Sequence, residues 1–167
     1  MADSKRLVIL KALTAQLKTI NGTDGYTINL NNRVYRGRNR FGETEQLPAI
    51  AILESMNPDR GPSTAGGSED TKQIDDWVLL IQGWAVDDKD NPADPAHILM
   101  GEVKKCLAKI AVEVEGNTAF LLGGLIEEIQ LEPGTVRPPD ETSAQAYFWM
   151  RISLKVVERL FDPFDIT

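Results

Sequence analysis

The chain has 167 residues with a net charge of −7, and 42% of them are hydrophobic and 26% charged. These values are typical of a globular protein, and we expect residues 1–167 to form a single domain. One cysteine and one histidine exclude a disulfide framework, a cysteine-clustered metal site and multi-histidine metal chemistry. No stretch approaches the ~18 apolar residues of a membrane span and no signal-peptide pattern opens the chain, so we predict a cytosolic protein without membrane contact.

The charge is unevenly distributed along the chain. Residues 1–45 carry eight basic and four acidic side chains, and residues 46–167 carry ten and twenty-one, which gives net charges of +4 and −11. An acidic protein is a poor general nucleic-acid binder, because affinity for phosphate depends on cations. Oppositely charged regions suit a protein that binds copies of itself head to tail, and solvated surface charge without a role is the alternative.

The first third of the chain predicts a helix, a hairpin and a strand. Apolar residues recur at three- and four-residue spacing over residues 4–19, as in an amphipathic helix. The following segment, YTINLNNRVYRGR, alternates in character around Asn31 and Asn32, which are suited to a hairpin turn. The run LPAIAILES at 47–55 has the length and apolar character of a strand.

The middle of the chain predicts a long loop, a strand and the clearest helix. Residues 56–72 are rich in glycine and proline and contain almost nothing apolar, which indicates a loop. The run IDDWVLLIQGWAV at 74–86 carries large apolar residues at successive positions, as in a strand covered on both faces. In the helix predicted over 94–112, one apolar stripe contains Leu99, Val103, Cys106 and Ile110, widened by Ile98 and Leu107.

The last third predicts two strands separated by a second long loop. We expect a strand around 124–132, a loop at 132–144 and a strand at 145–160, where apolar and polar residues alternate most regularly. The order of elements favours an α+β fold, with a mostly antiparallel β-sheet and two helices packed on one of its faces. The long loops at 56–72 and 132–144 complete this predicted architecture.

Carboxylates cluster where the strand at 74–86 gives way to the helix at 94–112. Asp87, Asp88 and Asp90 precede Asp94 and Pro95. An EF-hand calcium loop begun at Asp88 fails at three of its five diagnostic positions. A helix start fits better, with Asp94 as the N-cap, Pro95 at the first helical position and the carboxylates opposing the helix dipole.

Three further patterns lose their chemical interpretation when spacing is considered. Nine residues along a helix separate His97 from Cys106 and turn them to opposite sides, so they cannot act as base and nucleophile. The segment GPSTAGGS at 61–68 lacks the lysine of a phosphate-binding loop. Glu127 and Glu128 are adjacent on a strand and point to opposite faces, which excludes an acid–base pair. We therefore predict no enzyme activity, cofactor or metal.

A basic and aromatic segment, RVYRGRNRF, follows the predicted hairpin turn. Basic side chains interleaved with aromatic rings can bind a nucleic-acid backbone. The alternative is an exposed arm whose arginines pair with carboxylates, including those of a neighbouring subunit. The acidic remainder of the chain favours a protein partner. The segment contains Arg33, Tyr35, Arg36, Arg38, Arg40 and Phe41.

The C-terminal sequence FDPFDIT carries apolar side chains on a tail that cannot extend the preceding strand past Pro163. The tail either folds back on the core or docks into another subunit, and the sequence favours neither. Phe161 and Phe164 are its aromatic residues.

The succession of these segments resembles the tail terminator, or tail completion, proteins of long-tailed bacteriophages. The matching features are the helix SKRLVILKALTAQL, the strand LPAIAILES with its long polar loop, and the strand DDWVLLIQGWAV leading into DPAHILMGEVKKCLAKI. The last matching segment is the strand AYFWMRISLKVVERL. The resemblance covers residues 4–160 and rests on the order of the segments rather than on an invariant motif.

The resemblance implies a virion protein that forms a homo-oligomeric ring, typically a hexamer, on the head-proximal end of the tail tube. Such a ring stops tube polymerisation, docks the head–tail connector or neck protein, and lets DNA pass without specific binding. It is assembled in the host cytoplasm. Rival hypotheses are another neck or adaptor component, and a nucleic-acid-binding module using Arg33–Arg40. For the ring we expect interface roles for Arg33, Tyr35, Arg36, Arg38, Arg40, Phe41, Asp87, Asp88, Asp90, Phe161 and Phe164.

Overall fold

The computed structural model describes residues 1–42, 44–55 and 71–167, and these residues confirm the predicted α+β class. They form helices α1 (Lys5–Leu17), α2 (Asp94–Ala111) and the single turn α3 (Leu121–Gly124). The strands are β1 (Val34–Arg36), β2 (Ala49–Glu54), β3 (Lys72–Trp84), β4 (Glu128–Leu131), β5 (Thr135–Arg137) and β6 (Tyr147–Arg159).

The six strands form one mostly antiparallel sheet. Its order is β1-β2-β3-β6-β4, and β5 pairs with β6 beside β4. The β1–β2 pair is parallel and the other four pairs are antiparallel. The β3–β6 ladder runs without interruption from Lys72 opposite Arg159 to Trp84 opposite Tyr147.

The core lies between one face of the sheet and helices α1 and α2. The alternation predicted for β6 is confirmed, because every second side chain from Phe148 to Val156 is completely buried. Helix α2 contributes the apolar stripe that its spacing predicts, with Leu99, Val103, Cys106, Leu107 and Ile110 completely buried. In α1 the completely buried residues are Ile9, Leu13 and Leu17, whereas Leu7 and Leu10, which recur at the same three- and four-residue spacing, are only half-buried.

Gly83 on β3 makes room for the largest fully buried side chain of the core. It lies directly opposite Phe148, and a Cβ at position 83 would be 2.2 Å from Cε1 of that ring. Packing the phenyl ring over the bare backbone of its cross-strand partner lets the two strands and the helix layer close together. A side chain at position 83 would displace the ring.

The hairpin predicted around Asn31 and Asn32 is wrong, although the turn exists. Both asparagines have positive φ, of 45° and 62°, as the predicted turn requires. The preceding segment pairs with itself instead, because Leu30 N donates to Ile20 O and an isolated bridge joins Asn21 to Asn29. Burial of Leu30 in the core keeps this segment out of the sheet, and β1 pairs in parallel with β2.

The boundaries of the predicted loops also change. The loop predicted at 132–144 contains β5, because β4 pairs with only four residues of the long strand β6 and leaves its edge available nearer Tyr147. The strand predicted at 124–132 is shortened to β4, since α3 precedes it. The loop predicted at 56–72 and the segment 61–68 lie outside the described residues, except that Thr71 is described and Lys72 begins β3.

The start of α2 differs by one residue from the predicted cap. Ala93 is the N-cap residue and no side chain caps the helix, whereas Asp94 lies in the first turn. The carboxylate of Asp94 still opposes the positive end of the helix dipole, and Pro95 occupies the first turn as expected.

Substitution of Gly83 tests the close packing under Phe148. We expect Gly83→Ala to lower the free energy of unfolding by about 1–3 kcal/mol, because the added methyl group overpacks the core. Gly101→Ala is the matched control, since a Cβ there meets nothing within 4 Å inside α2. The control should raise stability by roughly 0.5–1 kcal/mol. Urea unfolding of both variants measures the difference, and equal effects would contradict the packing argument.

Candidate functional site

The basic and aromatic segment forms a compact stack on its own chain. The guanidinium carbon of Arg38 lies 4.8 Å from the ring centroid of Tyr35 and 4.4 Å from that of Phe41. Arg38 also forms an ion pair with Glu45. Phe41 packs in turn on Trp84 at the end of β3, with 4.2 Å between ring centroids. Two of the aromatic rings and the central cation are therefore used within the molecule.

The other arginines of this segment lie in different environments. Arg33 Nε donates to Pro48 O at 2.8 Å, and Arg36 donates to Thr14 Oγ1 at 3.0 Å. Arg40 is exposed, and its backbone carbonyl accepts from Arg38 Nε at 3.4 Å. Through Arg36 and Phe41 the segment contacts α1 and the end of β3. A nucleic-acid phosphate would have to compete with Glu45 for Arg38, which weakens the DNA-binding hypothesis.

The acidic cluster is a turn in which carboxylate and backbone bond to each other. Asp88 Oδ1 accepts from the backbone N–H groups of Asp90 and Asn91 at 3.0 and 2.9 Å. Asp87 and Asp90 are exposed. Among the described residues, no ion pair joins these three aspartates to a basic side chain, so they remain available to cations of a partner.

Cys106 and His97 lie in opposite environments on α2, as their spacing predicts. His97 is exposed, whereas Cys106 is completely buried and its Sγ donates to Gln16 O at 3.1 Å. Burial raises the pKa of the Cys106 thiol, which keeps it protonated and unreactive. The Cys106 side chain therefore joins α2 to α1 through this hydrogen bond.

The sheet face opposite the helices carries charged pairs. On β6, Lys155 Nζ donates to Glu128 at 2.9 Å and Arg151 Nε lies 3.8 Å from Glu132. Hydrogen bonds from Gln130 and Lys155 hold the pKa of Glu128 below its ordinary value. These pairs are solvent-exposed and contribute little to stability.

The C-terminal tail, residues 160–167, has an ordered backbone and exposed rings. Lys5 N at the start of α1 donates to Pro163 O at 2.9 Å, and Arg159 pairs with Asp165 at 2.7 Å. The side chains of Phe161 and Phe164 nevertheless remain 72% and 52% exposed. The sequence left open whether the tail folds back on the core or docks into another subunit. In the structure its backbone folds back on the domain, while the phenyl rings of Phe161 and Phe164 stay exposed and could still contact another subunit.

An apolar groove, which the sequence analysis did not find, lies beside the start of α2. We call it the α2 groove; it has a volume of about 380 Å³. Its lining is mostly apolar and consists of Thr27, Ile28, Asn29, Pro48, Ala85, Val86, Pro95, Ile98 and Leu99. Val86 and Ile98 are 48% and 55% exposed. Four separate chain segments form the groove, so no local sequence pattern predicts it. The one available signal is Ile98, which widens the apolar stripe of α2 beyond the part that the core covers.

The two features lie at opposite ends of the β3–β6 ladder. The tail follows Arg159, which pairs with the first residue of β3, and the groove includes Val86, two residues after the last. Twelve residue steps at ~3.3 Å each separate the ends of a regular strand, a distance on the order of 40 Å. The tail of one molecule therefore does not reach its own groove.

Residues 1–42, 44–55 and 71–167 contain neither a group of side chains that could hold a metal ion nor a helix that could cross a membrane. No group of three or more acidic, histidine or cysteine side chains is arranged to hold a metal ion. None of the helices there has the length and apolar character needed to cross a membrane.

Comparison with known proteins does not assign the chain to a family. No protein-family model matches it, and no curated protein matches it either.

The contact between Asp165 and the rest of the tail predicts a dependence on pH. Hydrogen bonds from Thr167 and the Arg159 pair hold the pKa of Asp165 well below its ordinary value of 3.8. A depressed pKa in the folded state stabilises the docked tail above the ordinary value, and this contribution is lost as pH falls through the lower, folded-state value. We expect the NMR titration midpoint of Asp165 to be lower in the protein than in a peptide of residues 158–167.

Asp165→Asn should loosen the tail at neutral pH. We expect severalfold faster hydrogen exchange at the Lys5 amide, because the charge-assisted bond to Arg159 is lost. Asp162→Asn is the matched control, since its side-chain oxygen can still accept from Phe164 N. Unchanged exchange in Asp165→Asn would show that this ion pair does not hold the tail.

Proposed function

We propose that this protein is a structural subunit of a bacteriophage tail that caps the head-proximal end of the tail tube as a ring. The ring stops tube polymerisation by occupying the growing end and offers its other face to the neck connector. The mechanism is surface complementarity without catalysis. The succession of segments in the sequence suggests this function, and the order of helices and strands in the α+β fold is compatible with it.

The observation that carries the proposal is the tail with its fixed backbone and exposed rings. A flexible tail would lose conformational entropy on docking, whereas this tail is already held by α1 and by Arg159. Full burial of an exposed phenyl side chain contributes roughly 1.5–3 kcal/mol, so covering the 72% and 52% of Phe161 and Phe164 that are still exposed would contribute about 2–4 kcal/mol. Rigid aromatic side chains presented to solvent are typical of residues that anchor protein–protein interfaces.

The engaged arginines support an assembly role over nucleic-acid binding. Arg38 is already paired with Glu45 and packed on two rings, and the acidic remainder of the chain repels phosphate. An acidic ring would let DNA pass through without holding it. The wild-type protein should therefore not shift DNA in a gel-shift assay, whereas a nucleic-acid-binding module would shift DNA and lose that shift when the charges of Arg36, Arg38 and Arg40 are reversed.

Assembly with tail tubes tests the proposed function. We expect the purified protein to form rings by light scattering and electron microscopy, and to shorten tubes when it is present during polymerisation of the tail tube protein. Addition after polymerisation is the control, which should decorate one tube end without changing tube length. A protein that binds only the portal-side connector would instead be an adaptor. A strict monomer that does not associate with tubes would contradict the proposal.

A further inference from the structure

We propose that the aromatic tail of one copy docks into the α2 groove of a second copy. The inference rests on the proposed function, because it specifies how subunits of the ring would contact each other. Its evidence is separate: the exposed rings of Phe161 and Phe164, which we call the apolar knob, and the apolar α2 groove lie at opposite ends of the β3–β6 ladder. Two different surfaces of the same chain that fit each other produce a heterologous, head-to-tail contact, which closes into a ring when the rotation permits.

The groove has the size that the tail requires. A cavity of roughly 150 Å³ lined by apolar side chains accepts benzene. The α2 groove, at about 380 Å³, has room for the ring of Phe164 together with a neighbouring apolar side chain such as Ile166. Its lining offers apolar contact from Ile28, Val86 and Ile98 rather than paired polar groups, as a phenyl ring requires.

Charge at the groove favours one direction of approach. Arg33 donates to the carbonyl oxygens of Pro48 and Asn29, two residues that line the groove, so one basic side chain lies next to it. On the tail, Asp162 lies between the two phenylalanines. Asp87 and Asp94 are adjacent in sequence to the lining residues Val86 and Pro95, and their carboxylates would repel the carboxylate of Asp162. The carboxylate of Asp162 is therefore drawn to the Arg33 side as the rings enter.

The length of the ladder excludes the simplest competitor, which is docking of the tail into the groove of its own chain. Residues 160–167 begin at the end of the ladder remote from the groove, and the bond between Lys5 N and Pro163 O holds them there.

Paired variants test the contact. Phe161→Ala with Phe164→Ala removes the knob, and Val86→Asp with Ile98→Asp places charge in the groove. We expect each double variant to weaken self-association by about 10- to 100-fold in sedimentation velocity, as anchor residues of interfaces do. Val112→Ala with Val114→Ala is the matched control, because these valines are 47% and 57% exposed away from both surfaces. The control should assemble as the wild type does.

Mixing the two double variants distinguishes this contact from any other. The intact tail of the groove variant can dock into the intact groove of the tail variant, and the resulting pair has no further functional ends. An equimolar mixture should therefore form dimers and nothing larger. Circular dichroism verifies that both variants are folded, which we expect because all four substituted side chains are substantially exposed.

The outcomes separate this inference from the proposed function. Rings formed by both variants, or a mixture that remains monomeric, would overturn the tail–groove contact and leave tube capping to be judged by its own assay. A wild-type protein that stays monomeric up to high concentration would also overturn the contact. Tubes capped by such a protein would still support the proposed function, and uncapped tubes would contradict both.

Discussion

The antiparallel ladder between β3 and β6 is the constraint on which the rest of the structure depends. Its thirteen residue pairs fix the register of both strands, and a shift by one residue would turn every buried side chain of β6 to the solvent. The ladder carries β2 on one side and β4 and β5 on the other, and its inner face supports both long helices. The tight seat of Phe148 on Gly83 fixes this register further, because a displaced strand would bring a side chain under the ring.

Much of this ladder could be predicted from sequence, because it depends on local periodicity. Alternation in β6 and the apolar stripe of α2 follow from side-chain geometry alone, and both are confirmed. Local periodicity does not decide whether the turn at Asn31 and Asn32 joins two paired strands. Its turn chemistry is local and correct, but Leu30 packs in the core between distant segments, and tertiary burial decides the pairing. The short strand β5 likewise depends on an edge of β6 that only the folded sheet makes available.

The candidate site was predictable only in part for the same reason. Sequence identified the exposed phenylalanines and the acidic turn, since both lie in single contiguous segments. It did not reveal that Arg38 is held between Tyr35, Phe41 and Glu45, because that stack requires the connection after β1 to fold back toward Trp84. It also did not reveal the α2 groove, which combines side chains from before β1, before β2, after β3 and from α2. Non-local surfaces of this kind leave no periodic signal in any one segment.

The symmetry of the proposed contact would give the ring two different faces. An isologous dimer buries the same patch on both copies and makes its two ends equivalent, whereas a closed ring of head-to-tail contacts has two different faces. A tube cap needs two different faces, because one face must match the tube and the other must match the neck. The tail and the groove lie at opposite ends of a single rigid ladder, so the polarity of each subunit is set by its fold. A ring assembled through them would inherit that polarity without any further interaction to specify it.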